Sequence, residues 1–474
     1  MNKQLPIKVN AILNIFKQVL NVAFPLITFP YVSRVLLDEN YGKYSFSITI
    51  INYFMLLASL GIATYAVREG AKIRDNYSVF QKFASQIFSI NIITTLISLF
   101  LLAAITIFWP KLNSYWCLIL VQSFQILATT IGADWVNTIY EDFLYITIRY
   151  IVCQLLGLAA IFLFVRKVDD YVIYAGIMTA TVVFANLFNV WYIRRYVSLH
   201  FTCHMSIAKH LPPSLFLFAN ALAISIYVNI GTTLLGIFRD DSTVGVYSFA
   251  VKVYGIAKNI LNAIVVVAIP RLSLLSESDP TKFKQMVTQI LSAILLLMIP
   301  MICGIIVLSP DLSLLLGGEA FVRSSGVLQI LGMAIVPAVI SCLISNGVLI
   351  IYGKEKLCLI STAVAAVVNL VSNLCFTPFW GSYGAAVSTV VAELLACILS
   401  CFFAAKYYLL SIKSAIVVPI IIECCIIVLL AILLDFWFNS LLKVVMCVCI
   451  SCFLYFFVIL LSGNKNFFIL NKKC

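Results

Sequence analysis

The chain has 474 residues, of which 63% are hydrophobic and 11% charged, with mean hydropathy +1.08. That is more apolar surface than one soluble core of this size can bury, which excludes a soluble enzyme or binding module and implies an all-α integral membrane protein. The net charge of +12 does not point to nucleic acid, because most of the 31 lysines and arginines gather on one side of the predicted spans, the bias that marks cytoplasmic loops.

Apolar runs long enough to cross a roughly 30 Å hydrocarbon layer are predicted at 10–36, 42–66, 83–109, 114–133, 142–165, 171–193, 211–238, 244–270, 283–308, 325–352, 357–379, 383–409, 414–434 and 438–462. These fourteen crossings place both termini in the cytoplasm. The first run carries Lys17 and lacks a small-residue cleavage site, so it is expected to stay as a span and not to be a signal peptide. Connections are short on both sides, which confines any function to the membrane. The 15 cysteines fall mostly inside spans, where cysteine packs as a small apolar residue, so no disulfide framework is expected.

Along the first span, Asn10, Asn14, Lys17, Asn21 and Thr28 share one helical side. A lysine near the bilayer interior costs roughly 2.5 to 3.5 kcal/mol, so this side is expected to face water or a partner. Ser45, Thr49 and Asn52 continue the polar stripe in the second span. Arg68 follows at its inner end, and Arg149 lies in the fifth span. The seventh span has Ser225, Asn229 and Thr232, the eighth Lys252, Gly255, Asn259 and Asn262, and the eleventh Thr362, Asn369, Ser372 and Asn373. Hydroxyls and amides of this kind also serve as glue between membrane helices.

An internal echo organises these spans. Tyr41-Gly42-Lys43-Tyr44-Ser45-Phe46 recurs 203 residues later as Val244-Gly245-Val246-Tyr247-Ser248-Phe249, each opening a span after an outer turn. Six crossings between copies preserve orientation. The echo therefore implies two six-helix lobes related by a pseudo-two-fold along the membrane normal, residues 1–200 and 201–411, with a C-terminal helix pair at 412–474 outside the repeat.

The buried cations carry the functional reading. Lys17, Arg149, Lys252 and Lys258 within spans, and Arg34 near the outer end of the first, face only two acids at membrane depth, Glu393 and Glu423. Five positive charges against two negative leave three, a burial cost on the order of 10 kcal/mol unless water or an anionic ligand compensates. Such a surplus suits a phosphate-bearing cargo. Arg34, Lys17 and Arg149 are also near enough to a membrane face to snorkel, which makes Lys252 and Lys258 the stronger pair. Glu393, near mid-membrane, either takes a coupling proton or sodium ion or pairs with a lysine. Pro25, Pro30, Pro212, Pro213, Pro300 and Pro337 permit bending without requiring it.

Other motifs carry little. His200, Cys203, His204 and His210 lie in a loop without a second ligand pair, so no metal is expected. Gly353-Lys354 lacks the rest of a phosphate-binding loop, so ATP-driven transport is not supported.

Pro25 to Arg34, the Tyr41 turn, Tyr65 to Asp75, Ala133-Asp134-Trp135, Glu141 to Arg149 and Tyr383 to Glu393 together resemble the Wzx-type polysaccharide (O-antigen or capsule) repeat-unit flippases of the multidrug/oligosaccharidyl-lipid/polysaccharide exporter superfamily. The resemblance implies a non-enzymatic transporter of the bacterial inner membrane. It would move an undecaprenyl-diphosphate oligosaccharide from the cytoplasmic to the outer leaflet by alternating access, driven by a proton or sodium gradient, with polysaccharide polymerase and glycosyltransferases as partners. It places Arg34, Arg68, Asp134, Arg149 and Glu393 on family-like motifs, with Arg68 as a cytoplasmic gate and Asp134 and Glu393 as coupling-ion or ion-pair residues. Lys17, Asn21, Lys252, Lys258 and Asn259 are physical choices for substrate contact. In related lipid II flippases the last two helices form a groove for the lipid tail, a role it extends to the thirteenth and fourteenth spans. Two readings compete. A drug or cation antiporter of the same superfamily calls for an acidic cavity. A membrane glycosyltransferase or polymerase using Asp38-Glu39 calls for a large outer loop that is absent here.

Overall fold

The computed structural model describes residues 7–409, 411 and 414–461, with side chains over 24–409, 411, 414 and 416–458. Every long element among them is helical. The chain divides into two compact units, Met1–Asn229 and Ile230–Cys474, and the division falls inside a helix.

The first unit opens with α1, Ile7–Ser59, which reverses where Leu37 takes φ 59° and ψ −178°, a setting that L-residues rarely adopt. The reversal brings Phe29 and Tyr41 together, with ring centroids 5.8 Å apart. The two arms correspond to the first two predicted spans. The second arm stops at Leu60 and Gly61, both at positive φ, before a short helix at Ile62–Gly70. A Cβ on Gly61 would stand 2.5 Å from Ser214 O and 2.8 Å from Phe218 N, so only glycine admits that approach. Then come α2 (Tyr77–Phe108), α3 (Trp116–Gly132), a one-turn helix at Trp135–Ile139, α4 (Phe143–Phe164), α5 (Tyr171–Ile193) and α6 (Ile207–Phe238). Asn76 and Asp142 cap α2 and α4 by accepting from Val79 N and Tyr145 N.

The connection between α5 and α6 lies on α2. Gln86 Nε2 donates to His204 O at 2.8 Å and to Ser206 Oγ at 3.1 Å. Its carbonyl therefore accepts from His210 Nε2 at 3.1 Å, which leaves His210 Nδ1 as the acceptor from Tyr65 OH at 2.9 Å. His210 is a packing residue of this corner.

In the second unit, Asp240 caps α7 (Asp241–Ser278) and Asp279 caps α8 (Pro280–Val307), which has proline in its first position. A short helix, Ser309–Gly317, leads to α9 (Ser324–Ile344), which widens to π geometry at Ser345–Leu349. The next helix, α10 (Glu355–Ala404), reverses at Gly381, where φ is 56°, and brings Ser361 Oγ to 3.0 Å from Ser400 Oγ on its other arm. Last come α11 (Val417–Asp435) and α12 (Ser440–Leu461). This pair packs on α8 through Ile427, Ala431, Leu434 and Cys447, and Tyr455 OH donates to Leu296 O at 2.6 Å. Twelve helices among the described residues are long and apolar enough to cross a membrane. With α1 and α10 each folded into two arms, they supply the fourteen predicted crossings.

Large apolar side chains such as Phe108, Trp191 and Phe379 point outward, as a lipid-facing surface requires. Many buried hydroxyls turn back to the carbonyl four residues earlier, Ser33 to Phe29, Ser89 to Ser85 and Thr106 to Leu102. Others join helices, such as Thr95 with Thr130 at 2.7 Å and Ser98 with Phe54 O at 2.6 Å.

The sequence echo has a structural counterpart inside each unit. Phe46 meets Tyr115 at 5.3 Å, and its counterpart Phe249 meets Phe321 at 4.7 Å. Tyr44 packs on Tyr174, and its counterpart Tyr247 reaches Thr389 Oγ1 at 3.3 Å. The turn opening each repeat bonds the turn near its end: Asn40 Nδ2 donates to Val168 O at 2.8 Å, and Arg239 Nη2 to Pro378 O at 2.6 Å.

Candidate functional site

Each unit builds a centre of charge inside its helices. In the first unit it begins where α3 stops. A Cβ on Gly132 would collide with Asn186 Oδ1, and Ala133 adopts φ 46° in the left-handed region. This turn points Asp134 toward α4, where Arg149 Nη2 donates to both carboxylate oxygens at 2.7 and 2.9 Å. From α5, Asn189 Nδ2 donates to Gly132 O at 2.6 Å and to Asp134 Oδ1 at 2.9 Å, and its own carbonyl accepts from Asn137. Asn189 thus holds the end of α3 and the carboxylate together.

The burial is unequal. The Arg149 side chain is 8% exposed and that of Asp134 is 52% exposed. One guanidinium nitrogen of Arg149 serves Asp134. Its Nε and Nη1 are buried and have no hydrogen-bond partner among the described residues, while the group lies 5.5 Å from the centre of the Tyr145 ring. Three N–H donors are therefore left without an acceptor among the described residues.

An aromatic and acidic lattice frames this centre. Tyr145 and Tyr192 stack with centroids 3.4 Å apart, and the hydroxyls of Tyr192 and Tyr196 both donate to Asp142 Oδ2, at 2.6 and 2.7 Å. Burial, and after it the Asp142 carboxylate, hold the Tyr196 hydroxyl above the ordinary phenol range. Arg195 Nη1 donates to Tyr192 OH at 2.7 Å, and Arg74 Nη1 ties Glu141 at 2.8 Å to the carbonyl of Ile139 at 2.7 Å.

In the second unit, Tyr254 and Lys258 stand one turn apart on α7 and converge on Glu393 of α10. Lys258 Nζ lies 2.7 Å from Glu393 Oε1, Tyr254 OH donates to the same oxygen at 2.9 Å, and Lys258 Nζ also reaches Tyr254 OH at 3.2 Å. Glu393 is buried and Lys258 is 27% exposed at the side chain, so the cation holds the more accessible edge.

The surplus of three buried cations needs correction. Asp134 was not among the acids counted at membrane depth, yet it neutralises Arg149, and Glu393 neutralises Lys258. Lys252 and Asn259 are exposed on one face of α7, two turns apart, and Arg34 is exposed beside the reversal of α1. Arg68 is exposed on the short helix after α1, where its Nε donates to Glu69 Oε1 at 3.0 Å. The side chains of Lys17 and Asn21 lie outside the described residues. Glu423 is buried on α11, with Oε2 lacking a hydrogen-bond partner among the described residues.

Sequence reasoning missed Lys443, which is buried on α12 between Asp311 at 2.8 Å and Asp435 at 2.7 Å. It also missed Asn189, Asp142 and Arg195. The signal for Lys443 was its place eight residues after Asp435, across the turn joining two apolar helices.

Comparison with known proteins was made on this basis. Residues 7–276, more than half of the chain, match the family described as "Polysaccharide biosynthesis protein". A protein named "Putative O-antigen transporter" from Escherichia coli (strain K12) is 26% identical over 263 residues, 53% of this chain and 61% of that protein, so the chain spans about three fifths of that relative's length. One of the same name from Shigella dysenteriae is 23% identical over 382 residues, 79% of this chain and 94% of that protein. Among solved structures, the lipid II flippase MurJ in an inward closed conformation superposes with a TM-score of 0.76 at 14% identity, covering 98% of this chain and 100% of that one. An inward-facing multidrug resistance MATE family transporter of the MOP superfamily gives 0.56 at 16% identity, over 82% of this chain and 94% of that one. At such identities the two structures speak for a shared fold.

Proposed function

From the premise that the chain belongs to the polysaccharide biosynthesis protein family, we propose that it is a flippase for a polyprenyl-diphosphate-linked oligosaccharide. It carries an undecaprenyl-diphosphate repeat unit from the cytoplasmic to the outer leaflet by alternating access, for O-antigen or capsule assembly. It works as a transporter, not an enzyme, in the bacterial inner membrane with both termini cytoplasmic. Glycosyltransferases supply its cargo and a polysaccharide polymerase consumes it. The relatives' names and the lipid II flippase fold support the cargo class.

One observation carries the reading to chemistry. A guanidinium buried inside the helices, with two of its nitrogens unpartnered among the described residues, is a costly arrangement unless an acceptor-rich anion completes it. A diphosphate is such an anion, and it takes planar donors readily. In the absence of cargo, Asp134 and Glu393 hold Arg149 and Lys258 in defined positions. A phosphate that takes over a cation leaves its carboxylate free, and the freed carboxylate then favours uptake of a proton or sodium ion. Cargo binding and gradient coupling would share these carboxylates. A transporter for cationic drugs gains nothing from a buried guanidinium with N–H donors to spare, which disfavours that reading.

The test is binding of polyprenyl diphosphate, polyprenyl monophosphate and a lipophilic cation to the purified protein, measured by native mass spectrometry for the wild type and R149Q. The expected order for the wild type is diphosphate over monophosphate, with no cation bound, and the diphosphate preference shrinks in R149Q. An unchanged preference in R149Q, or a preference for the cation, contradicts the proposal.

A further inference from the structure

Where α8 begins and the second arm of α10 ends, the second unit forms a half-open cavity of about 840 Å³. Phe283 and Val287 of α8 pack against Ala404 and Tyr408 beneath it. The cavity presents donors: Lys284 and Gln285 on α8 with Gln289 one turn on, and Lys406 just beyond α10. Among the described residues no aspartate or glutamate lines it.

Its wall is fixed by a hydroxyl cluster. Thr288 Oγ1 donates to Lys284 O at 3.0 Å, so it is the acceptor toward Tyr408 OH at 2.9 Å and Ser411 Oγ at 3.2 Å. That ties α8 to the segment after α10. Asp279 pairs with Lys282 at 3.1 Å, and neither Lys284 nor Lys406 forms an ion pair among the described residues. Two ammonium groups and two carboxamides therefore line a hollow with no counter-charge among the described residues. The cavity lies at the ends of helices long and apolar enough to cross a membrane, and its lining shares no residue with the Arg149 or Lys258 centre.

We propose that this cavity binds a phosphate ester: the headgroup of an anionic membrane phospholipid, or a soluble ester of the same chemistry. Lysine serves such oxyanions as a point charge, and the carboxamide N–H groups orient the oxygens that remain. The volume exceeds a bare phosphate ion and suits a glycerophosphate headgroup.

The probe is phosphatidylglycerol, titrated onto the purified full-length protein and counted by native mass spectrometry. K284Q/K406Q should bind it roughly tenfold or more weakly, since two charge-assisted contacts are lost. K354Q/K356Q removes the same charge at the start of α10, which the reversal at Gly381 folds back alongside its end, but outside the cavity, and should bind as the wild type does. Glycerol 3-phosphate in competition separates the sources. Displacement of the lipid assigns the site to a soluble ester, and retention assigns it to a membrane lipid. Wild-type affinity in K284Q/K406Q, or an equal loss in K354Q/K356Q, overturns the proposal.

Discussion

The Arg149–Asp134 pair separates two kinds of importance that mutagenesis usually confounds. Replacing Asp134 with Asn leaves a buried guanidinium without a counter-charge, whereas replacing Arg149 with Gln leaves a carboxylate that is half exposed and that water can solvate. Breaking a fully buried ion pair costs roughly 3 to 5 kcal/mol. The exposure of Asp134, and the Asn oxygen that can still accept from Arg149, reduce this to about 2 kcal/mol for D134N. R149Q should cost about 1 kcal/mol or less, because its orphan is the exposed partner. Transport should rank the other way. If Arg149 offers a diphosphate one or two charge-assisted bonds of about 1.5 kcal/mol each, its loss slows flipping roughly 10- to 150-fold, while D134N retains the donor. The assays are thermal unfolding of the purified variants and flipping of a fluorescent polyprenyl-diphosphate oligosaccharide in proteoliposomes. A wild-type flipping rate in R149Q, or a larger stability loss in R149Q than in D134N, would refute the reasoning.

The second centre should behave as a coupled unit. K258M strands the buried Glu393 with only Tyr254 OH and should lower stability by about 3 kcal/mol; K258M/E393Q should recover most of that in thermal unfolding yet still fail to flip. At the reversals of α1 and α10 opposite substitutions are informative: L37G relieves positive-φ strain and should leave stability equal or raised by up to about 1 kcal/mol, whereas G381A should lower it by about 1 kcal/mol. G381A has room for its Cβ, with Thr243 Cγ2 at 3.6 Å, so a loss much beyond this in denaturant unfolding would mean the space and not the dihedral is limiting. G132A should be more severe, because its Cβ drives into Asn186 and displaces the turn that aims Asp134; reduced melting temperature together with reduced flipping is the expected signature.

Much of the framework was legible because a membrane helix declares itself by an uninterrupted apolar run. The reversals were legible too: Asp38-Glu39-Asn40 and the stretch around Gly381 interrupt apolar runs that are otherwise continuous. The repeated Tyr-Ser-Phe motif announced contacts that recur, Phe46 on Tyr115 and Phe249 on Phe321. The pairing of charges was not legible. Asp134 meets Arg149 only because Ala133 takes a left-handed turn, and Lys258 meets Glu393 across 135 residues of chain. Lys443 was passed over inside the last predicted span, whereas packing carries it between two aspartates. Counting charges by depth along single helices overstated the surplus, because neutralisation depends on which helix end folds beside which neighbour.

The central claim is that the protein moves a lipid whose headgroup is a diphosphate, and purified protein in liposomes tests it most directly. With a fluorescent polyprenyl-diphosphate oligosaccharide in one leaflet, the wild type should expose it to a membrane-impermeant quencher on the other side, R149Q should do so roughly 10- to 150-fold more slowly, K258M/E393Q should not, and a cationic dye should stay where it was placed. Equal transfer by wild type and both variants, or transport of the dye alone, would contradict the account.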